Sequence, residues 1–259
     1  MQEDFPNIKI THIDLDLQKL DSVKQCSKEI FQKFPQGVDV LALNAGVAML
    51  DDYATGDGYD VQMQTNHLSH FVLVKDLYPL LEKKSFEKGE SRIVHMTSEN
   101  RVKPNCVLDS SYFGKNGGNL GGNKWGMFMN GPVVKRYQQS KLATCSFHYM
   151  LDDKLRSKGS KVKTVLAHPG LTQSNMTDDA KSKHWMLRLA SKLVRQTTED
   201  GSMSFIHAMC SLDVQSGDFY GPKEKVFGPV SKVKPEKRLT ENKQMCWTES
   251  CKVDGDFVL

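Results

Sequence analysis

A tyrosine and a lysine one helical turn apart have the residue types and the spacing of an acid/base pair. Tyr137 and Lys141 stand in the segment YQQSK, and residues four apart share one face of a helix. A free phenol titrates near ~10, so lowering its pKa by ~3 units takes about 4 kcal/mol. A unit charge ~4 Å away at an effective dielectric of ~20 supplies about that energy. We therefore expect Lys141 to lower the pKa of Tyr137 in a general acid/base centre, although two exposed helix residues would show the same spacing.

The elements that must position this pair alternate between strand and helix patterns. Apolar, β-branched runs predict strands at 8–17, 38–43, 92–97, 162–168 and near 219. Apolar residues at helical spacing predict helices at 21–34, 58–83, 134–158, 184–195 and 199–212. This alternation indicates an α/β fold with a doubly wound parallel sheet. We expect a single domain over 1–259, with a loop insertion at 105–133 and an irregular C-terminal tail at 222–259.

Four further motifs stand at or after the carboxyl ends of the predicted strands. They are LNAG (43–46), TNHLSHF (65–71), MTS (96–98) and HPG (168–170). In open α/β sheets, ligands bind at the edge that the carboxyl ends of the strands form. The motifs and the tyrosine–lysine pair are therefore expected to surround one site.

In this order, LNAGV, TNHLSHF, RIVHMTS, RYQQSKLA and AHPG resemble the short-chain dehydrogenase/reductase family. They look most like its retinol-dehydrogenase-like and protochlorophyllide-reductase-like branches, and the resemblance runs from about residue 8 to 221. The resemblance implies a Rossmann-type fold and an oxidoreductase that transfers a hydride between NAD(P)(H) and a carbonyl or alcohol.

The resemblance also implies a role for each member of a catalytic tetrad. Tyr137 would exchange a proton with the substrate oxygen, and Ser98 would hydrogen-bond that oxygen. Lys141 would lower the phenol pKa and hold the nicotinamide ribose, while Asn66 would anchor a water in the proton relay. The implied cofactor-binding residues are Asp16, Leu17, Asn44, Ala45, Gly46, Tyr137, Lys141, Pro169, Gly170, Thr172 and Ser174. Simpler roles stay open: Asn66 could satisfy backbone groups in a bent helix, Ser98 could cap a turn, and Asp16 could be a surface charge.

The opening T-G-x-x-x-G-x-G loop of the family, which cradles the pyrophosphate, is not found. Only seven residues precede Ile8, whereas a βαβ unit takes ~30. The sequence therefore predicts an N-terminally incomplete sheet whose first βαβ unit is missing, and an unpaired edge on strand 38–43. The glycine-rich stretch 117–122 has neither nucleotide-binding spacing nor a preceding strand, so we predict a loop there.

Ser98 and Tyr137 stand 39 positions apart, which is more than is common in the family. The excess contains the aromatic residues Tyr112, Phe113, Trp125 and Phe128. Two interpretations stay open, a flap over the substrate pocket and a surface insertion.

The favoured functional hypothesis is an NADP-dependent carbonyl reductase or alcohol dehydrogenase that acts on a small apolar substrate. NADP follows from the branch that the sequence resembles, and NAD stays open. The alternative is a catalytically impaired relative that serves as a binding or scaffold protein. An epimerase or dehydratase of the extended branch would need a larger C-terminal domain than this chain has room for.

Composition and spacing argue against nucleic-acid-binding, metal-binding and membrane-spanning proteins. The net charge of +4 is dispersed and no nucleic-acid motif accompanies it, so no nucleic-acid partner is expected. The six cysteines contain no C-x-x-C pair, and the helix-spaced pair His67 and His70 lacks an evident third ligand, so no metal is expected. No apolar run reaches the ~20 residues of a membrane span. We expect a cytoplasmic protein, with membrane or organellar attachment and a homodimer left open.

Overall fold

Five strands form one sheet in the part of the chain that the computed structural model describes, which is residues 7–102, 106–126, 130–172 and 196–259. Strands β1 to β4 are parallel, and β5 is antiparallel to β4. The strands lie side by side in the order β1 (Val40–Leu43), β2 (Ser91–Met96), β3 (Val162–Ala167), β4 (Phe219–Pro222) and β5 (Val230–Lys232).

Seven α-helices lie in the described part of the chain. They are α1 (Leu20–Lys33), α2 (Val61–Met63), α3 (Ser69–Lys88), α4 (Pro132–Lys158), α5 (Thr198–Cys210), α6 (Lys237–Glu241) and α7 (Lys243–Asp254). A π-helical turn, Gln64–Leu68, joins α2 to α3, and short 3-10 turns cover Glu99–Val102 and Ser110–Phe113. The helices predicted at 58–83, 134–158 and 199–212 correspond to α2–α3, α4 and α5, while the one predicted at 184–195 lies outside the described residues.

Side-chain alternation along the strands distributes apolar residues to both faces of the sheet. Ile93 and Leu166 join a large apolar cluster with α3 and α4. Val94 and Val165 point to the opposite face, where they pack with Phe205 of α5. Full burial of each such side chain contributes roughly 1.5–3 kcal/mol. Helices on both faces of a mostly parallel sheet confirm the predicted α/β class and the Rossmann-type, doubly wound arrangement.

The prediction of a strand at 8–17 is wrong, because these residues form no ladder with another described strand. Ile8, Ile10 and Leu15 are exposed, and only Leu17 is buried. Its β-branched composition is typical of strands, but β-propensity reflects packing against neighbouring strands. In the described ranges β1 pairs with β2 alone; that the first βαβ unit is missing stays a prediction.

The irregular tail predicted at 222–259 is also wrong, because this segment contains most of the β4–β5 hairpin together with α6 and α7. Trp247 stacks on Phe257 with ring centroids 5.2 Å apart, and both rings meet Phe71 of α3 edge-on. Leu239 and Cys246 are fully buried. The tail folds because these scattered apolar side chains complete the cluster between α3 and α4.

Candidate active site

Helix α4 carries the tyrosine and the lysine. It begins at Pro132, whose fixed φ suits a first helical position, and it ends before Gly159, where φ is +68°. Tyr137 and Lys141 lie one turn apart and are only 5% and 3% exposed. Lys141 Nζ donates a hydrogen bond to the carbonyl oxygen of Met96 at 3.1 Å. This bond fixes the reactive turn of α4 to the end of β2.

Ser98 follows β2 and forms a side-chain hydrogen bond with the Tyr137 phenol. Burial raises the pKa of Tyr137, and the Ser98 hydrogen bond lowers it by less, so the net direction is upward. This direction is opposite to the expected one, because desolvation of the phenolate dominates. Burial also lowers the pKa of Lys141 to about 8. At neutral pH the site therefore holds a protonated phenol beside a lysine that is still mostly charged.

Asn66 lies in the π-helical turn, where its amide side chain binds the chain segment after β1. Its Oδ1 accepts from the Val47 amide at 2.8 Å, and its Nδ2 donates to the Val47 carbonyl and to Ser140 Oγ, each at 2.9 Å. Thr144 Oγ1 donates to the Asn66 carbonyl at 3.2 Å. π-helical turns are frequent at functional sites, and here the turn cross-links the end of β1 to α4.

Gly46 is required by the close approach of this turn to the segment after β1. A Cβ atom at residue 46 would lie 2.8 Å from Asn66 Oδ1 and 3.4 Å from Lys141 Nζ. The preceding Asn44 and Ala45 are exposed. The structure therefore brings the LNAG motif next to Asn66 and Lys141, at the carboxyl end of the sheet.

The segment after β3 is also held in place at this edge. Gly170 has φ +72°, and a Cβ atom there would lie 2.5 Å from the Val226 carbonyl oxygen. Thr172 Oγ1 and Gln196 Nε2 both donate to the carbonyl of Pro169, at 3.0 and 2.6 Å. The Thr172 hydroxyl is thus engaged locally, and Ser174 lies outside the described residues.

Asp16 and Leu17 lie at the turn that precedes α1. The Asp16 carboxylate accepts from the Gln18 amide at 2.9 Å, and its own amide donates to Ser22 Oγ at 2.9 Å. Leu17 is buried, and its carbonyl accepts from Ser69 Oγ at 2.6 Å. Asp16 therefore stabilises a local turn, while Leu17 is attached to the first turn of α3.

His67 and His70 are buried parts of the core around α3. His67 Nε2 lies 2.7 Å from Ser250 Oγ, and its ring meets Phe113 and Phe147 edge-on. Burial lowers the pKa of both imidazoles to about 3. Among the described residues no cluster of three or more His, Cys, Asp or Glu could hold a metal ion.

Arg136, next to Tyr137, is a buried charged residue that the sequence interpretation missed. Its guanidinium is fully buried between two carboxylates, with Nε 3.3 Å from Asp60 Oδ2 and Nη1 3.7 Å from Asp52 Oδ2. It also donates to the carbonyls of Gly122 at 2.9 Å and Leu50 at 3.1 Å. The signal in the sequence was only a charged residue directly before Tyr137; its burial comes from the packing of α4.

The glycine-rich stretch 117–122 is a loop, as predicted, and its backbone amides bind the side-chain carboxylate of Asp52. The amides of Gly118, Leu120 and Gly122 donate to the Asp52 carboxylate at 3.0, 2.8 and 2.9 Å. Successive backbone N–H groups of this kind form an anion-binding concavity. Asp52 occupies it, so these amides do not serve as a phosphate cradle.

Tyr137 packs in a small apolar cluster, which we call the apolar wall. It consists of Ala48, Met49, Val133, Val134 and the partly buried Trp125. Tyr112 and Phe113, from the same inserted segment as Trp125, are buried in the main core, and Phe128 lies outside the described residues. The insertion therefore supplies both core side chains and part of the surroundings of the reactive tyrosine.

The described residues fit the reacting end of a nicotinamide cofactor. The buried ammonium of Lys141 lies close to Gly46, where the absence of a side chain leaves room. An ammonium is a hydrogen-bond donor suited to ribose hydroxyls. The exposed Asn44 and Ala45 leave this edge open on one side. Within the described ranges, we find no glycine-rich turn leading from a strand into a helix to hold a pyrophosphate.

Comparisons with known proteins define the family. A family model described as short chain dehydrogenase matches residues 1–112. Human retinol dehydrogenase 11 is 30% identical over 243 residues, an alignment covering 93% of this chain and 68% of that protein. Human polyprenol dehydrogenase is 26% identical over 261 residues, covering 98% of this chain and 72% of that protein. A solved structure of an uncharacterized protein from Mycobacterium paratuberculosis superimposes with a TM-score of 0.67 at 26% identity, covering 95% of this chain and 76% of that one.

The fold, the site and these relatives define an oxidoreductase, and the chain belongs to the short-chain dehydrogenase/reductase family. Within that family it lies in the retinol-dehydrogenase-like branch, so the resemblance seen in the sequence is confirmed. The family implies a nicotinamide cofactor. In the described part of the chain no helix is both long and apolar enough to cross a bilayer.

Proposed function

We propose that this protein interconverts a carbonyl and an alcohol on a small apolar substrate, with Tyr137 as the acid/base and NADP(H) as the cofactor. The observation that carries the proposal is the hydrogen bond between Ser98 and the buried, protonated phenol of Tyr137. A neutral phenol in a desolvated site is a proton donor, which favours carbonyl reduction near neutral pH.

Each member of the tetrad has a task that its position supports. In reduction, Tyr137 gives its phenolic proton to the substrate oxygen, and in oxidation it takes a proton back. Ser98 donates a hydrogen bond to the same oxygen and stabilises the charge that develops there. The ammonium of Lys141, one helical turn from Tyr137, would stabilise the tyrosinate that remains. A bound nicotinamide cofactor supplies or accepts the hydride.

Asn66 acts through the backbone in this proposal. Its amide binds both polar groups of Val47 and the hydroxyl of Ser140, so it fixes the cofactor-facing segment against α4. The water-anchoring role that the family resemblance implies is a further part of the proposal. Lys141 and Gly46 would hold the ribose, and Pro169, Gly170 and Thr172 would face the nicotinamide.

The apolar wall supports the substrate class. Met49, Val134 and the partly buried Trp125 pack in one cluster with Tyr137, so a charged substrate group beside them would lose hydration at a cost. Two relatives are named for their action on retinol and polyprenol, which are apolar alcohols. Retinal and long-chain aldehydes are therefore suitable first substrates.

The test follows cofactor oxidation by the full chain with NADPH or NADH and a panel of apolar aldehydes. We expect turnover, with NADPH preferred, and its loss by at least 100-fold in Tyr137→Phe because general acid catalysis contributes about 10²–10⁴. Cofactor fluorescence titration should give nearly unchanged affinity in this variant. Tyr112→Phe, which removes another buried phenol, should retain activity.

Wild-type turnover in Tyr137→Phe would refute the acid/base role. Failure of the wild-type chain to bind either cofactor would refute the oxidoreductase proposal. A cytoplasmic location and a homodimer remain sequence predictions, to be tested by cell fractionation and light scattering.

A further inference from the structure

A cavity of about 670 Å³ opens between the 3-10 turn after Ser98, the end of β3 and the β4–β5 hairpin. We call it the hairpin cavity. Its basic lining residues are Arg101, Lys223, Lys225, Lys232 and Lys234. Glu99 and Glu236 supply its carboxylates, so positive charge predominates. Neither Tyr137 nor Lys141 lines it.

Arg101 is the buried cation of this cavity, with 1% of its surface exposed. Its guanidinium stacks 4.6 Å from the ring centre of Phe219. Nη1 donates to the Ser98 carbonyl at 2.8 Å and to Glu99 at 3.1 Å. Its Nε is buried without an acceptor in the part of the chain that the structure describes. The guanidinium is thus rigidly held and retains unused hydrogen-bonding capacity.

Three of the four lysines that line the cavity add charge that no described carboxylate pairs with. Lys232 pairs with Asp218 at 2.8 Å. Lys223, Lys225 and Lys234 form no ion pair with a described residue. Lys225 also has φ +65°, a left-handed conformation that costs energy in a residue other than glycine. The hairpin therefore keeps a cation at a strained position beside the cavity.

His168 presents a neutral N–H donor at the same place. Its Nδ1 accepts from the Gly170 amide at 3.2 Å, which puts the proton on Nε2. Burial, assisted by the charge of Arg101, lowers the pKa of His168 to about 3. Nε2 lies 3.6 Å from Glu99 Oε2, so the neutral imidazole presents its N–H beside this carboxylate at the cavity lining.

We propose that the hairpin cavity binds an oxyanion, the phosphate or carboxylate group of a small ligand. The planar fork of an arginine and the point charges of lysines are the donors that recognise such groups. The buried, partnered position of Arg101 gives the site a fixed geometry, and the exposed lysines attract the anion. The hairpin cavity adjoins the proposed active site through the carbonyl of Ser98, but none of the tetrad side chains lines it.

The test titrates the full chain with inorganic phosphate and, separately, with acetate by calorimetry at constant ionic strength. We expect saturable one-to-one binding of at least one anion, with the tighter one identifying the ligand class. Lys223→Gln with Lys225→Gln should weaken it about tenfold, since two nearby charges are lost. Both lysines are exposed, so the fold should tolerate the change.

The matched control is Lys9→Gln with Lys28→Gln, which removes two exposed charges outside the cavity lining. This variant should bind within about twofold of wild type, because distant exposed charges are screened by salt. Arg101→Lys, which keeps the charge and loses the fork, should also weaken binding. Absence of saturable binding to both anions, or equal weakening in the control, would overturn the proposal.

Discussion

Replacing Arg136 by methionine should destabilise the protein strongly, because it would leave two buried carboxylates without their cation. Arg136 is fully buried between Asp52 and Asp60. Breaking a buried ion pair by removing one partner typically costs 3–5 kcal/mol, a large share of a total stability of about 5–15 kcal/mol. We expect Arg136→Met to lower the free energy of unfolding by about 3–5 kcal/mol.

Replacing Asp60 as well as Arg136 separates the electrostatic contribution to this loss of stability from the other contributions. Burial raises the pKa of Asp60 to about 6, even though Arg136 and two backbone amides oppose the rise. A shift of about 2 units corresponds to roughly 3 kcal/mol that the charged form costs at pH 7.5. Asp60→Asn removes this cost and keeps an oxygen for the amides of Gln62 and Met63.

The double variant should therefore lose at least about 3 kcal/mol less than Arg136→Met alone, because the charged form of Asp60 costs more once its cation is gone. Urea unfolding at pH 7.5, followed by circular dichroism, measures each free energy. Arg156→Met is the matched control on the same helix; its partner is Asp152, but its side chain is 61% exposed, so the loss should be about 1 kcal/mol or less. Additive effects of Arg136→Met and Asp60→Asn would contradict this reasoning.

Two further predictions concern buried histidines. Burial lowers the pKa of His148 to about 4. Below pH ~6.5 the imidazole therefore binds a proton in the unfolded chain but not in the folded chain. The free energy of unfolding should decrease as the pH falls from ~6.5 to about 4. His148→Gln should reduce the pH slope of unfolding free energy by up to ~1.4 kcal/mol per pH unit in that window, whereas the partly exposed His207→Gln should not; equal slopes in all three proteins would exclude His148 as the cause. Gly221→Ala should lower the thermal midpoint sharply, because its Cβ would lie 2.0 Å from His168 Nε2, and Gly221→Ala combined with His168→Ala should recover part of the loss in calorimetry; no recovery would place the strain elsewhere.

The sequence predicted the elements whose signal is local. Helix α4 has continuous helical spacing and a proline and a glycine at its two ends, and the buried strands β2 and β3 are short apolar runs. The motifs around Tyr137 were expected together because each stands at the carboxyl end of a strand. Their geometry agrees at Gly46, Asn66 and Lys141, which the structure places in contact.

The failures share a physical cause, namely partners distant in sequence. Segment 8–17 has strand composition, but strand formation depends on a neighbour. Trp247 and Phe257 lie in the segment predicted to be an irregular tail, and they are ordered by packing against Phe71 of α3. The upward pKa shift of Tyr137 was missed because burial was not visible from its spacing to Lys141.

The single pairing of β1 has a consequence for handling the protein. Within the described ranges its outer edge presents unpaired backbone donors and acceptors, which can template the addition of another extended chain. The strand is only four residues long, so each such encounter adds few hydrogen bonds. Self-association through this edge should therefore increase with protein concentration. Dilute storage should keep the protein monodisperse for the measurements above.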